Sequence, residues 1–232
     1  MSLTPILESV QIGPPQARGW DGAPDPMDRP WTSGIFKTPV SGPVAVEGLG
    51  LAGDAQADLV NHGGADKAVC AYPADHFDHW RAVLARPDLG PGAFGENFTM
   101  RGLTERDVCI GDTWRIGDLL VQVSQPRQPC WKLARRWRTA DFADQVIAAG
   151  RTGWYFRVLR PATVSAGLSC GLIERPYPEW TVSAANAVRY DNAGAARARG
   201  AELAEVPLLS ASWRRALRSR AEAPASPGGA QG

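Results

Sequence analysis

The segment Gln125-Pro126-Arg127-Gln128-Pro129-Cys130-Trp131-Lys132-Leu133 sets one cysteine between a proline and a run that reads as a helix, Trp131 to Trp137. Pro129 suits the first turn of a helix, because its missing N–H has no intrahelical partner there. Cys130 then lies where free backbone N–H groups and the positive end of the helix dipole favour an anion. Such surroundings favour a thiolate, the form that attacks electrophiles and ligates metals. The bland alternative is a buried cysteine acting as a small hydrophobe. This segment alone leaves both readings open.

Two glycine-rich segments add polar groups. In Gly53-Asp54-Ala55-Gln56-Ala57-Asp58-Leu59-Val60-Asn61-His62-Gly63-Gly64-Ala65-Asp66-Lys67, the paired glycines sit between His62 and Lys67. Successive glycines let backbone N–H groups converge into a nest for a phosphate or similar oxyanion. They also turn corners with no ligand in view. In Gly92-Ala93-Phe94-Gly95-Glu96-Asn97, the Glu96 and Asn97 side chains suit hydrogen bonding to the edge of a heterocycle. The alternative is a tight turn that satisfies its own backbone. His76 and His79, three apart on a predicted helix, offer no third metal ligand, so no metal site is assigned to them.

The elements that must position these groups read as mainly β. Ile6 to Ile12 forms a first strand, and a polar loop over Gly13 to Pro30 looks too punctuated for regular structure. Short β-like runs follow at Thr32 to Lys37, Pro43 to Val46, Ala68 to Tyr72, Val108 to Ile110, Thr113 to Ile116, Leu119 to Ser124, Trp154 to Leu159 and Ala162 to Ala166. Many short strands separated by turn signals argue for a barrel or sandwich. A helix opening at Pro73-Ala74-Asp75 places Phe77, Trp80, Val83 and Leu84 on one face. After Trp180 the composition becomes Ala/Arg-rich. Ser183 to Tyr190, Asp191 to Arg199 and Ser210 to Ala223 read as three short helices, parted by Gly200 and Pro207, that dock on the barrel. The expected division is residues 1–181 for the barrel, 182–223 for the helices and 224–232 for a disordered tail.

A net charge of +1 gives no electrostatic reason to expect a nucleic-acid partner. No apolar run approaches the roughly 20 residues needed to span a bilayer, and the N-terminus lacks a secretory pattern. A cytoplasmic location is expected. The four cysteines are widely spaced, with no C-x-x-C, and read as free thiols rather than a disulfide framework. Among 25 basic residues only Lys37, Lys67 and Lys132 are lysines, the other 22 being arginine. All three lysines fall in the segments that look chemical, where a compact ammonium acts as a point charge for an oxyanion. No heptad marks a self-association surface, so a homodimer is left open.

Together the run G-D-x-Q-A-D-x-x-x-H-G-G-x-D-K-A-V, Pro-Gly-Ala-Phe-Gly-Glu-Asn, Cys109-Ile110-Gly111-Asp112 and Gln-Pro-Arg-Gln-Pro-Cys resembles the MOSC-domain proteins, nearest the YiiM-type branch. The likeness runs from about Glu8 to Leu217 and includes a C-terminal three-helix appendage. It implies a β-barrel that binds a molybdenum–pterin cofactor (the molybdenum cofactor), with Cys130 as the thiolate on molybdenum. It also implies reduction of N-hydroxylated bases and related compounds, with electrons from a separate flavoprotein. Lys37, His62, Gly63, Gly64, Lys67, Asn97 and Arg127 carry over as candidate cofactor contacts, the Lys37 loop matching the family's first basic segment. A proton for the departing oxygen would come from His62, Asp66 or metal-bound solvent, and the residues do not choose among them. Two alternatives belong to the same resemblance: a sulfur-relay module, with a persulfide on Cys130, and a carrier that delivers the cofactor without turnover.

Overall fold

The run Leu119–Pro126 buries seven of its eight residues, and so unbroken a buried stretch needs sheet neighbours on both edges and cover on both faces. The computed structural model, which describes residues 4–191 and 194–222, supplies both. Its strands are β1 (Ile6–Ile12), β2 (Gln16–Arg18), β3 (Trp31–Ser33), β4 (Thr38–Pro39), β5 (Val44–Glu47), β6 (Gly50–Leu51), β7 (Val69–Pro73), β8 (Phe98–Arg101), β9 (Thr113–Ile116), β10 (Leu119–Pro126), β11 (Trp154–Arg160), β12 (Ala162–Val164) and β13 (Cys170–Glu174). Helices are α1 (Leu59–His62), α2 (Phe77–Leu84), α3 (Trp131–Trp137), α4 (Phe142–Ala148), α5 (Val182–Tyr190), α6 (Gly194–Ala204) and α7 (Ala211–Glu222).

Eight strands form one curled sheet in the order β13-β9-β10-β11-β7-β8-β1-β4. Every pair is antiparallel except β7 with β8, which run parallel. The sheet rolls until its far sides meet. Leu7 N–H donates to Leu168 O at 2.8 Å, Gly167 N–H to Leu7 O at 2.8 Å, and Cys170 N–H to Pro5 O at 2.8 Å. The mainly β barrel expected from the turn-punctuated runs is the architecture observed. No helix among the described residues is long and apolar enough to cross a membrane.

Two apolar cores hold this frame. The larger joins Leu7, Val10, Phe98, Val121, Val123 and Phe156 of the barrel to Val182, Leu203, Trp213 and Leu217 of the three C-terminal helices. Full burial of each such side chain stabilises by about 1.5–3 kcal/mol. The smaller gathers Tyr72, Phe77, Trp80, Phe94, Leu133, Phe142 and Val146, so that α2, α3 and α4 pack beside β7. At its centre the Tyr72 and Phe94 rings stack 3.9 Å apart, and Tyr72 OH accepts from Trp80 Nε1 at 2.6 Å.

Helix α3 is tied down along its length. Arg135 donates to Arg29 O at 2.8 Å and Pro26 O at 2.6 Å. Arg136 reaches Ile35 O and Gly92 O, and Trp137 Nε1 donates to Ala93 O at 3.0 Å. Arg138, left-handed at φ 51°, closes the helix and pairs with Asp25 and Asp28. Burial lowers the Arg136 guanidinium to about 10, still charged at neutral pH.

Several expectations need correction. Gln16–Arg18, placed in an irregular loop, pairs with Trp31–Ser33 as a hairpin. The strand expected over Thr32 to Lys37 stops at Ser33, where Gly34 lies so close to Ala55 O that a Cβ would stand 2.3 Å from it. Val108 to Ile110 makes only a single bridge, Cys109 to Thr181. Strands β8 and β13 and helix α4 were not foreseen. Gly200 lies inside α6 rather than between helices, and Val83 points outward, 46% exposed. The tail expected over residues 224–232 lies outside the described residues.

His76 is not a rim residue. Its Nε2 meets Glu105 Oε2 at 2.7 Å, while Glu105 Oε1 accepts from Gly153 N at 2.7 Å. Both side chains are buried. This carboxylate ties the α2 end of the second core to the start of β11. Removing it strands two buried polar groups, which costs about 3 kcal/mol. Glu105→Ala is therefore expected to lower the chemical-denaturation free energy by about that amount, whereas an exposed control, Glu222→Ala, changes it by under about 0.5 kcal/mol.

Candidate functional site

At the mouth of the barrel, residues far apart in sequence line one cavity: Lys37, Asp58, His62, Lys67, Cys70, Phe94, Asn97, Arg127, Cys130, Lys132 and Tyr155 among them. All three lysines of the chain converge there. The cross-strand register explains the floor, since Gln125 of β10 pairs with Tyr155 of β11, and Tyr155 with Cys70 of β7. His62 ends α1, and Lys67 ends the single turn Ala65–Lys67 that leads into β7.

Cys130 is the residue that begins α3; its backbone is extended and its side chain makes no capping hydrogen bond. The thiol is half-buried on the cavity wall rather than sealed in apolar packing. Nearby, Arg127 is buried. Its backbone N–H donates to Gly153 O at 3.0 Å and its Nη2 to Phe94 O at 2.7 Å. Nη1 is also buried yet meets no hydrogen-bond partner among the described residues. Arg127 lines the cavity, and its charge, with one donor still unanswered among the described residues, favours an anionic occupant.

Asp54, which the sequence reading passed over, organises the other wall. Its buried carboxylate pairs with Lys37 Nζ and accepts from Gly13 N at 3.0 Å and from Asn97 Nδ2 at 2.9 Å. Asn97 is fully engaged, for its Oδ1 accepts from Cys70 N at 3.1 Å and its Nδ2 also reaches Gln11 O at 3.3 Å. It lines the cavity as a brace. Glu96 turns inward to accept from Gly92 N at 2.6 Å, Phe94 N at 3.0 Å and Thr99 Oγ1 at 3.1 Å. Satisfying its own turn, it reads no heterocycle edge.

Gly63 and Gly64 turn the corner between α1 and the Ala65–Lys67 turn and do not line the cavity. Gly64 needs its left-handed φ of 97°. Asp66, a candidate proton donor, stands outside the lining and pairs with Arg157 at 2.8 Å. His62 faces Asp58 at 3.6 Å, longer than a hydrogen bond, so its Nδ1 is left without a hydrogen-bond partner among the described residues. Burial, with Lys132 beside it, holds His62 below its ordinary value of 6.5. Burial also lowers Lys67, whose Nζ donates to Asn61 O at 2.6 Å. Asp58 is held at about 2 by hydrogen bonds from Asn61 and is ionised.

Cys70 and Tyr155 were likewise not foreseen, and only the folded register brings them in. Burial raises the Cys70 thiol to about 11 and the Tyr155 phenol further, so both keep their protons at neutral pH. Among the described residues, no group of three or more His, Cys, Asp or Glu side chains is placed to hold a metal ion.

The MOSC domain family matches residues 58–170. The uncharacterized protein YflK of Bacillus subtilis is 45% identical over 206 residues, covering 89% of this chain and 90% of that protein. A Gibberella moniliformis protein named Reductase is 42% identical over 154 residues, which cover 65% of this chain and 27% of that longer protein. The crystal structure of YiiM from Geobacillus stearothermophilus superposes with a TM-score of 0.73 at 37% identity, covering 94% of this chain and 99% of that one. A barrel of this topology, with Cys130 and three lysines gathered at its mouth and relatives this similar along nearly its whole length, belongs to the MOSC-domain family, in its YiiM-type branch.

Proposed function

We propose that this protein is a reductase of N-hydroxylated compounds that works with the molybdenum cofactor, Cys130 supplying the thiolate to molybdenum. The observation that carries the reading is one half-buried thiol sharing a cavity with the lysines and an arginine whose Nη1 is buried without a partner. The residues present fit the group. A soft thiolate suits molybdenum, and a metal held by one protein thiol takes its remaining ligands from an organic carrier. Lys37 already has Asp54 as counter-ion. Lys67, Lys132 and Arg127 are therefore the cations to hold the carrier's phosphate.

Bound there, the cofactor supplies the two-electron chemistry that converts an N–OH group to N–H and water. The chain's own part is to bind, orient and supply protons. Asn97, fixed between Asp54 and the Cys70 backbone, keeps the β7–β8 wall in register. The Cys70 thiol and Tyr155 phenol stay protonated and line the cavity without adding negative charge. His62 is neutral at pH 7 and delivers a proton from its ring nitrogen when it is charged, a state that gains population as pH falls. Of the two side chains considered as donors, His62 lines the cavity, whereas Asp66 pairs with Arg157 outside it. Electrons come from a separate flavoprotein; the fungal relative's name supports reduction as the class of reaction.

Cys130→Ser is expected to fold with an unchanged melting temperature but to carry less than about a tenth of the wild-type molybdenum, measured by metal analysis, and to leave 6-hydroxylaminopurine unreduced. Stoichiometric metal together with full turnover in that variant would overturn the proposal. Arg127→Gln should lower cofactor content more than Lys37→Gln does, because Arg127 has a buried donor without a partner among the described residues, whereas Lys37 is paired with Asp54. For His62 the sign follows from its lowered value: turnover should climb as pH falls from 8 toward 6, and His62→Gln should flatten that climb. A wild-type rate that rises with pH instead would remove His62 as the donor.

A further inference from the structure

Two connected hollows meet at Cys130. The inner one contains Cys70, Arg127 and Tyr155, whereas the outer one is walled by Trp31, Val60, Trp131 and Arg215. His62, Lys67, Cys130 and Lys132 face both. Counted out to their open mouths, they hold about 640 Å³ and about 1700 Å³, so the outer hollow has ample room for a bicyclic ring. Asp58, Lys67 and Lys132 line both, so each wall carries charge; the inner one adds Lys37 and Arg127, and the outer one adds the indoles of Trp31 and Trp131.

Trp131 immediately follows Cys130 and is 53% exposed. Exposed tryptophans ordinarily swing, but this one is braced. Its ring lies 5.8 Å from that of Trp31 at 58°, and the Arg135 guanidinium sits 4.9 Å from Trp131 and 5.9 Å from Trp31. Arg135 is in turn pinned by the two backbone carbonyls of Pro26 and Arg29. An indole kept in water and braced on the same wall as Cys130 is suited to stacking, which needs only a flat partner and little further ordering.

Resting on the reductase reading above, we infer that Trp131, braced by Arg135 and Trp31, is the specificity surface on which the planar ring of the substrate stacks. It favours N-hydroxylated heteroaromatic bases over small aliphatic N-hydroxylated compounds. The pterin of the cofactor is flat as well, and the test separates the two.

Trp131→Ala is compared with wild type and with Trp131→Phe, which keeps an aromatic face; Trp131→Leu serves if the alanine variant folds poorly. Three quantities are read on cofactor-loaded protein: adenine affinity by equilibrium dialysis, KM and kcat for 6-hydroxylaminopurine and for N-hydroxyguanidine, and molybdenum and pterin content. In Trp131→Ala, adenine binding should weaken and KM for the purine rise by about 5- to 100-fold. Its kcat, its KM for N-hydroxyguanidine and its cofactor content should stay within about twofold, and Trp131→Phe should recover most of the loss. Unchanged adenine affinity, an equal loss for both substrates, or loss of pterin would each overturn the inference. Should wild-type protein reduce neither compound, the reductase reading fails, while adenine dialysis still decides the stacking surface.

Discussion

The mouth of the barrel depends on one buried ion pair, Asp54 with Lys37. Its carboxylate joins three chain segments: the loop after β3 through Lys37, the end of β1 through Gly13, and the start of β8 through Asn97. A charge pair so thoroughly withdrawn from water owes its persistence to good geometry and additional hydrogen bonds, because desolvation otherwise rivals the attraction. Asp54 has both. The pair also sets the electrostatics of the cavity, since it neutralises Lys37 and leaves Lys67, Lys132 and Arg127 around the Cys130 thiol, opposed by the ionised Asp58. Two of these cations, Arg127 just past β10 and Lys132 of α3, flank Cys130 in the chain.

Local signals were legible and distant ones were not. Pro129 before an amphipathic run placed Cys130 at the head of a helix spanning Trp131–Trp137, the span observed. Strands such as Ile6–Ile12 and Thr113–Ile116 followed from apolar patterning between turn residues. The scarcity of lysine pointed to three positions that do meet in space. By contrast, Asp54 finds Lys37 across 17 residues and Asn97 across 43, and nothing in the local pattern of a Gly-Asp dipeptide signals such reach. Glu96 and Asn97 read either as contacts to the edge of a heterocycle or as members of a turn that satisfies its own backbone. The fold makes them braces. Strand β8 was missed because Phe98–Arg101 is four residues long and pairs in parallel with β7, a partner that lies on the far side of α2 in sequence.

Rigidity here is built largely from arginine against backbone oxygen. Arg127, Arg135 and Arg136 each donate to main-chain carbonyls of neighbouring loops, and only at its end, through Arg138 with Asp25 and Asp28, does α3 call on carboxylates among the described residues. The bonds to carbonyls need no ionised acceptor, so they hold where acidic partners would be neutralised. They also explain why a chain that uses arginine as its ordinary cation loses nothing by it: the planar fork spans two carbonyls, a task an ammonium does poorly. Lysine is kept for the cavity, where a compact charge is wanted.

Closure of the sheet through Leu7 and Gly167–Cys170 has a consequence for biogenesis. Every inner-cavity residue, from Ser33 to Tyr155, is translated before the segment that seals the ring. Ser212 and Arg215 of α7, which border the outer hollow, arrive last of all. The C-terminal helices therefore pack over a chamber whose lining segments precede them in the chain.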